Sequence, residues 1–169
     1  MLANFDRRLC AVNRWCVVVM LAAMACMVFA NVTLRFLTDR SILWVEEASR
    51  YTMIWLTLIG AGPVLRYGGH IGIDALQQKA PRHAVAIRAV IFAVLLGFFA
   101  VMTVVGLRYA ALTWAQTTPV LQIPIGAVYL AMPVGFALMI VHLLLMGRDY
   151  LRRGAFLADG DFDADAAGR

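Results

Sequence analysis

Four long apolar runs constrain this chain more than any other feature. They cover Trp15 to about Leu37, about Ala48 to Leu65, about Val85 to Leu107 and about Ala127 to Met146. A helix rises about 1.5 Å per residue, so roughly 20 apolar residues cross a hydrocarbon core about 30 Å thick. In lipid the backbone must satisfy its own hydrogen bonds, which makes each run a helix. A transmembrane barrel would need alternating segments of about ten residues, and the sequence holds none. The expectation is an all-α, polytopic membrane protein with four transmembrane helices.

Composition agrees. Of 169 residues, 63% are hydrophobic and 15% charged, and the mean hydropathy is +0.79. Soluble domains hold about 45–50% apolar and about 25% charged residues, and a single domain of this size could not hide the excess.

Charge between the runs sets the orientation. Arg7, Arg8 and Arg14 precede the first run. Arg66, Lys79, Arg82 and Arg88 bracket the second loop, and Arg148, Arg152 and Arg153 follow the last run. The third loop carries only Arg108, and the first mixes Arg35, Arg40 and Arg50 with Asp39, Glu46 and Glu47. Under the positive-inside rule both ends and the middle loop are cytoplasmic. The expected division is a cytoplasmic segment 1–14, a membrane domain 15–147 and a cytoplasmic, disordered acidic tail 148–169. The net charge of +5 is thus a topology signal; a nucleic-acid site would need a basic, aromatic-interleaved face on a soluble module.

Several features resolve to plain readings. Cys10, Cys16 and Cys26 lie in no metal-binding or redox spacing and read as small apolar fillers. Arg7-Arg8 and Val28-Phe29-Ala30 faintly resemble a cleaved leader, but the apolar run continues to Leu37, so the first run reads as a retained span. The acidic tail Asp159 to Asp165 lacks the glycine and glutamate of a calcium loop. Residues 66–83 open with a glycine turn at Gly68-Gly69 and then place Ile73, Leu76 and Ala80 on one side. This predicts a short interfacial cytoplasmic helix ended by Pro81, with His70 able to approach Asp74.

Ionisable groups inside a span are functional candidates, and here they sit at the ends. His142 lies one turn from the cytoplasmic end of the last run and reads as an interfacial residue. A haem anchor would need two facing axial ligands, and an enzyme would need a nucleophile with its base or a metal cluster. The chain is therefore expected not to be an enzyme and to bind no cofactor of its own. Glu46 and Glu47 lie four and three residues before Arg50, so both carboxylates can reach the guanidinium on one helix face. That cluster reads either as a depth anchor or as a contact with a partner subunit. Ala127, Ala131 and Gly135 form a small-residue stripe for close helix packing. Pro133 predicts a bend, and Gly60-Ala61-Gly62-Pro63 a kink or break, in their helices.

The segment Trp44-Val-Glu-Glu-Ala-Ser-Arg-Tyr51, followed by Trp55, Gly60, Arg66 and His70-Ile71-x-x-Asp74, resembles the small Q-type (DctQ-like) membrane subunit of tripartite ATP-independent periplasmic (TRAP) transporters. Gln116-Thr117-Thr118-Pro119, Ile123-Pro124, Tyr129 and Pro133-x-Gly135 extend the resemblance, which covers roughly residues 15–147. It implies a scaffold in the bacterial inner membrane that braces a large multi-span permease subunit. That subunit would use the sodium gradient, and a periplasmic solute-binding protein would deliver a carboxylate. Glu46, Glu47, Arg50, His70, Asp74, Ala127, Ala131 and Gly135 are the expected interface or structural residues, and Gln116 to Pro119 the expected docking loop. Two other classes remain open: the membrane anchor of a redox complex and a small four-helix drug exporter.

Overall fold

The computed structural model describes residues 2–66 and 84–153. The elements are α1 (Leu2–Thr38), α2 (Leu43–Arg66), α3 (Ala84–Leu112), the short α4 (Ile125–Tyr129) and α5 (Ala131–Arg153). The expected interfacial helix with His70 and Asp74 lies outside the described residues, as does the expected tail beyond Arg153; residues 148–153, expected to open that tail, instead end α5.

The described chain is all-α. Three stretches, Phe5–Thr38, Val85–Leu112 and Ile125–Gly147, are long and apolar enough to cross a membrane. The expected second span is a helix too, of 24 residues, but it carries Glu46, Glu47, Arg50 and Arg66 and falls short of the other three in apolar character. Residues 2–14 continue α1 without interruption, giving a 37-residue helix about 55 Å long.

The helices pack as an open array. α1 lies on α2, α2 on α5, and α5 on α3, so α1 and α3 form opposite edges. Its seam explains the first pairing. Asp6, Cys10, Asn13, Val17, Met20, Met24, Met27 and Asn31 are covered at least in part, and they step alternately by four and three residues. This 3.5-residue repeat keeps one face of a helix on its partner in a left-handed pair. Opposite the seam Gly60 faces Val17, where an added Cβ would sit at 3.7 Å.

The α5 interfaces depend on small residues. A Cβ on Gly135 would lie 2.7 Å from the Leu58 Cβ and 3.0 Å from the Leu58 carbonyl oxygen, so α5 rides against α2 at backbone distance. Ala131 is fully buried and Ala127 half-buried. The predicted small-residue stripe is therefore occupied by packing inside the chain. Against α3, Gly106 meets the Pro133 ring and Gly147 meets the Phe92 ring. Leu65, Phe99, Met139 and Leu143 form the core between these contacts, with Phe136 edge-on to Phe98 at 5.9 Å.

The two proline expectations resolve differently. The final run is interrupted at Leu130, between α4 and α5. Pro133 lacks an N–H, and its ring opposes the carbonyl four residues back, which belongs to Tyr129, the last residue of α4. Pro63 does not break α2, which runs on to Arg66. At the other end α1 stops at Thr38, where Asp39 takes φ 53° and donates its N–H to the Arg35 carbonyl at 3.0 Å. A short polar residue in the left-handed conformation is a common helix stop.

Candidate functional site

The polar chemistry of the described chain gathers at the two ends of α2, and a different device holds each end.

At the Arg66 end, three helices meet in a buried network. Arg66 is 3% exposed and His142 fully buried. The Arg66 Nε donates to His142 Nδ1 at 2.7 Å, and one terminal nitrogen donates to Asp6 Oδ2 at 2.9 Å. The other terminal nitrogen donates to Asp6 Oδ1, completing a bidentate fork. A guanidinium can only donate, so His142 Nδ1 accepts and the neutral ring carries its proton on Nε2. The side-chain amide of Asn13, itself buried, lies 3.3 Å from Nε2. It satisfies that proton when turned to present its oxygen. Gly62 makes the arrangement possible, since a Cβ there would lie 2.5 Å from His142 Cδ2. The network joins α1, α2 and α5 through one arginine.

At the other end, Glu47 is 7% exposed and reaches across to the loop after α3. Its Oε2 accepts the backbone N–H groups of Val120 and Leu121 at 2.9 and 3.1 Å, and its Oε1 accepts the Tyr51 hydroxyl at 2.8 Å. The loop is a folded hairpin. Thr118 N–H donates to the Ile123 carbonyl at 2.9 Å, Ile123 N–H to Thr118 Oγ1 at 3.2 Å, and Ile125 N–H to the Gln116 carbonyl at 2.8 Å. Gln122 turns the chain at φ 55° and donates its amide to the Pro119 carbonyl at 2.9 Å. Thr118 is fully buried, whereas Gln116, Thr117 and Pro119 are exposed. Nearby, the Ile42 N–H donates to Asn31 Oδ1 at 2.7 Å, tying the end of α1 to the start of α2.

The Glu46, Glu47 and Arg50 cluster does not form as spacing allowed. Glu46 and Arg50 are both exposed, and among the described residues neither glutamate forms an ion pair with Arg50. Glu47 turns to the hairpin because two amides and a hydroxyl satisfy a buried carboxylate on fixed groups, whereas Arg50 stays exposed. His142 is fully buried and held through both ring nitrogens. The sequence reading missed Asp6, Asn13, Arg66 and His142 as a unit. The available signal was the 3.5-residue seam of α1, on which Asp6 and Asn13 sit one heptad apart. The three cysteines are free thiols, two exposed and one half-buried, all on α1.

The family model for the DctQ component of tripartite ATP-independent periplasmic transporters matches residues 24–153. The chain is 29% identical over 124 residues to the C4-dicarboxylate TRAP transporter small permease protein DctQ of Rhodobacter capsulatus, covering 68% of this chain and 52% of that protein. It is 30% identical over 131 residues to the ectoine TRAP transporter small permease protein TeaB of Halomonas elongata, covering 76% and 64%. It is also 31% identical over 104 residues to the isethionate TRAP transporter permease protein DctMQ of Oleidesulfovibrio alaskensis, covering 60% of this chain and 16% of that protein. The chain spans about half the length of the C4-dicarboxylate relatives it matches. With three helices fit to cross a membrane and a family match over most of its length, this chain is a multi-pass membrane protein that belongs to the DctQ component family of tripartite ATP-independent periplasmic transporters.

Proposed function

We propose that this chain is the small inner-membrane subunit of a TRAP transporter, bracing a large permease subunit and helping a periplasmic solute-binding protein to dock for carboxylate uptake. One observation carries the reading: an open helix array, pinned at both ends of α2, whose spans hold no carboxylate, cationic or histidine side chain at mid-depth. No Asp, Glu, Lys, Arg or His lies between Arg14 and Arg35, between Arg50 and Arg66, between Arg88 and Arg108, or from Gly126 to Val141. A path for an ion-coupled substrate needs polar groups or broken helices at that depth, so substrate and sodium sites belong to the large subunit. The apolar residues of α1 and α3, among them Phe29, Phe36, Val94 and Val101, are largely exposed in the isolated chain, and lipid or a partner subunit must cover them. The DctMQ relative, of which this chain matches 16%, supports a small part working beside a much larger one. C4-dicarboxylate transport by two relatives supports an anionic substrate. A redox anchor is disfavoured because both His142 nitrogens are already engaged, and a drug exporter because no glutamate lies in the first span.

In this reading α2 is a fourth crossing. Its 24 residues reach about 36 Å, enough for the hydrocarbon core. Asp6, Asn13, Arg66 and His142 meet at one end, and Asn31, Glu47 and the 116–124 hairpin at the other, as an up-and-down arrangement requires. Reporter fusions after Arg14, near Lys79 and after Arg153 are expected to read cytoplasmic, and one near Gln116 periplasmic; a periplasmic signal at Lys79 would overturn the four-span arrangement. The purified chain alone is expected to carry no solute in vesicles, and uptake to require the large permease and the binding protein as well. Sodium-driven flux by this chain alone would overturn the scaffold reading.

A further inference from the structure

We infer that Glu47 is a positioning residue that fixes the shape of the 116–124 hairpin and thereby sets how tightly the transporter holds its periplasmic binding protein. The inference rests on the reading that a binding protein docks at this end. The carboxylate grips two consecutive amides, Val120 and Leu121, from 73 and 74 residues away in sequence. Bonds from backbone N–H groups to an ionised acceptor are short and roughly twice as strong as neutral ones. Consecutive amides aimed at one point form an anion-binding concavity, and here the anion is built into α2 and is itself oriented by Tyr51. The grip is inside the fold, whereas the residues beside it, Trp114, Gln116, Thr117, Pro119 and Val120, are exposed. A rigid element beneath an exposed hairpin is how a docking surface avoids the ordering cost of binding, which otherwise lowers affinity. The hairpin's own bonds close its neck, as Thr118 to Ile123 does, and tie it to the start of α4 through Ile125 and Gln116; Glu47 is what ties it to α2.

The test uses the complete complex in nanodiscs, with the transporter's purified periplasmic solute-binding protein as the probe. Glu47→Gln keeps the shape but leaves one neutral carbonyl oxygen to face the two amides, while its NH2 can only donate to the Tyr51 oxygen, reversing that bond. The Val120 and Leu121 amides are then expected to exchange hydrogen at least about tenfold faster, the size of losing charge-assisted bonds. The binding protein's Kd is expected to rise about tenfold, while co-purification with the large subunit stays as it was. Tyr51→Phe, which leaves both amide bonds in place, is expected to raise Kd in the same direction by less. If Glu47→Gln dissociates the large subunit, or leaves amide exchange unchanged, or loosens the hairpin with Kd unmoved, the positioning role is wrong. If the unmodified complex does not bind the binding protein at all, the docking reading itself fails, and the exchange data still report whether Glu47 holds the hairpin.

Discussion

Arg66→Met unfastens the Asp6, Asn13 and His142 end of the helix array and lowers its stability by about 3 kcal/mol, the lower part of the range for breaking a buried ion pair by removing one member. The lower part applies because Asp6 retains 35% of its side-chain exposure and can recover some hydration, whereas Arg66 is buried at 4%. Methionine matches the length of the arginine stem but donates nothing. His142 Nδ1 then loses its donor inside the fold, and Asp6 loses both of its bonds. Denaturant unfolding in detergent, followed by a probe on α1, measures the loss. Arg66→Lys should fall between, since an ammonium keeps the charge but cannot span Asp6 and His142 with a planar fork. Co-purification with the large permease should fall in the same order, because α1 is the edge helix released. Equal stability of Arg66→Met and the unmodified chain would show that the fork contributes nothing measurable.

The parts of this architecture legible in the sequence were those decided by bulk hydrophobicity. α3 is close to its expected limits because a run of 19 residues from Ala89 to Leu107 without a charge has no alternative in lipid. α1 and α5 were placed in their middles but not at their ends. Apolarity stops at the membrane surface, whereas helical hydrogen bonding continues through Asp6, Arg7 and Arg8, and on to Arg153. Glu47 was visible as a candidate, yet its partners were not, because a backbone N–H carries no signature in sequence and the loop lies 73 residues on. The ion pair with Arg50 was inferred from helical spacing, which says what two side chains can reach and not what competes for them. His142 and Arg66 are 76 residues apart, and each looked like an ordinary end-of-helix residue until the crossing of α2 and α5 put them in contact. Pro133 and Pro63 show the same limit. Both fall near the end of a helical stretch, and the sequence does not say which of them interrupts its helix.

Gly62→Ala is expected to act at least as strongly as loss of Arg66, although it adds a single methyl. The new Cβ would stand 2.5 Å from His142 Cδ2, 3.0 Å from Nε2 and 3.4 Å from the Asn13 amide nitrogen, so either the ring moves or the helices separate. The ring has little freedom, being held at Nδ1 by Arg66 and at Nε2 by Asn13. Overpacking of a close-packed interior costs about 1–3 kcal/mol, and here the displaced group also gives up its bond to a buried cation, which adds about 1.5–3 kcal/mol. Together these put the loss at about 3 kcal/mol or more. The effect should depend on the histidine rather than on helix propensity, because alanine is the better helix former. A double-mutant cycle separates the two. His142→Ala removes the ring that the methyl strikes, so Gly62→Ala in that background should cost under about 0.5 kcal/mol, leaving a coupling of about 2 kcal/mol or more between the positions. Unfolding in detergent of the two single variants and the double variant supplies the cycle. If Gly62→Ala costs the same with and without the imidazole, the glycine serves a contact other than His142, and the network does not need the space at position 62.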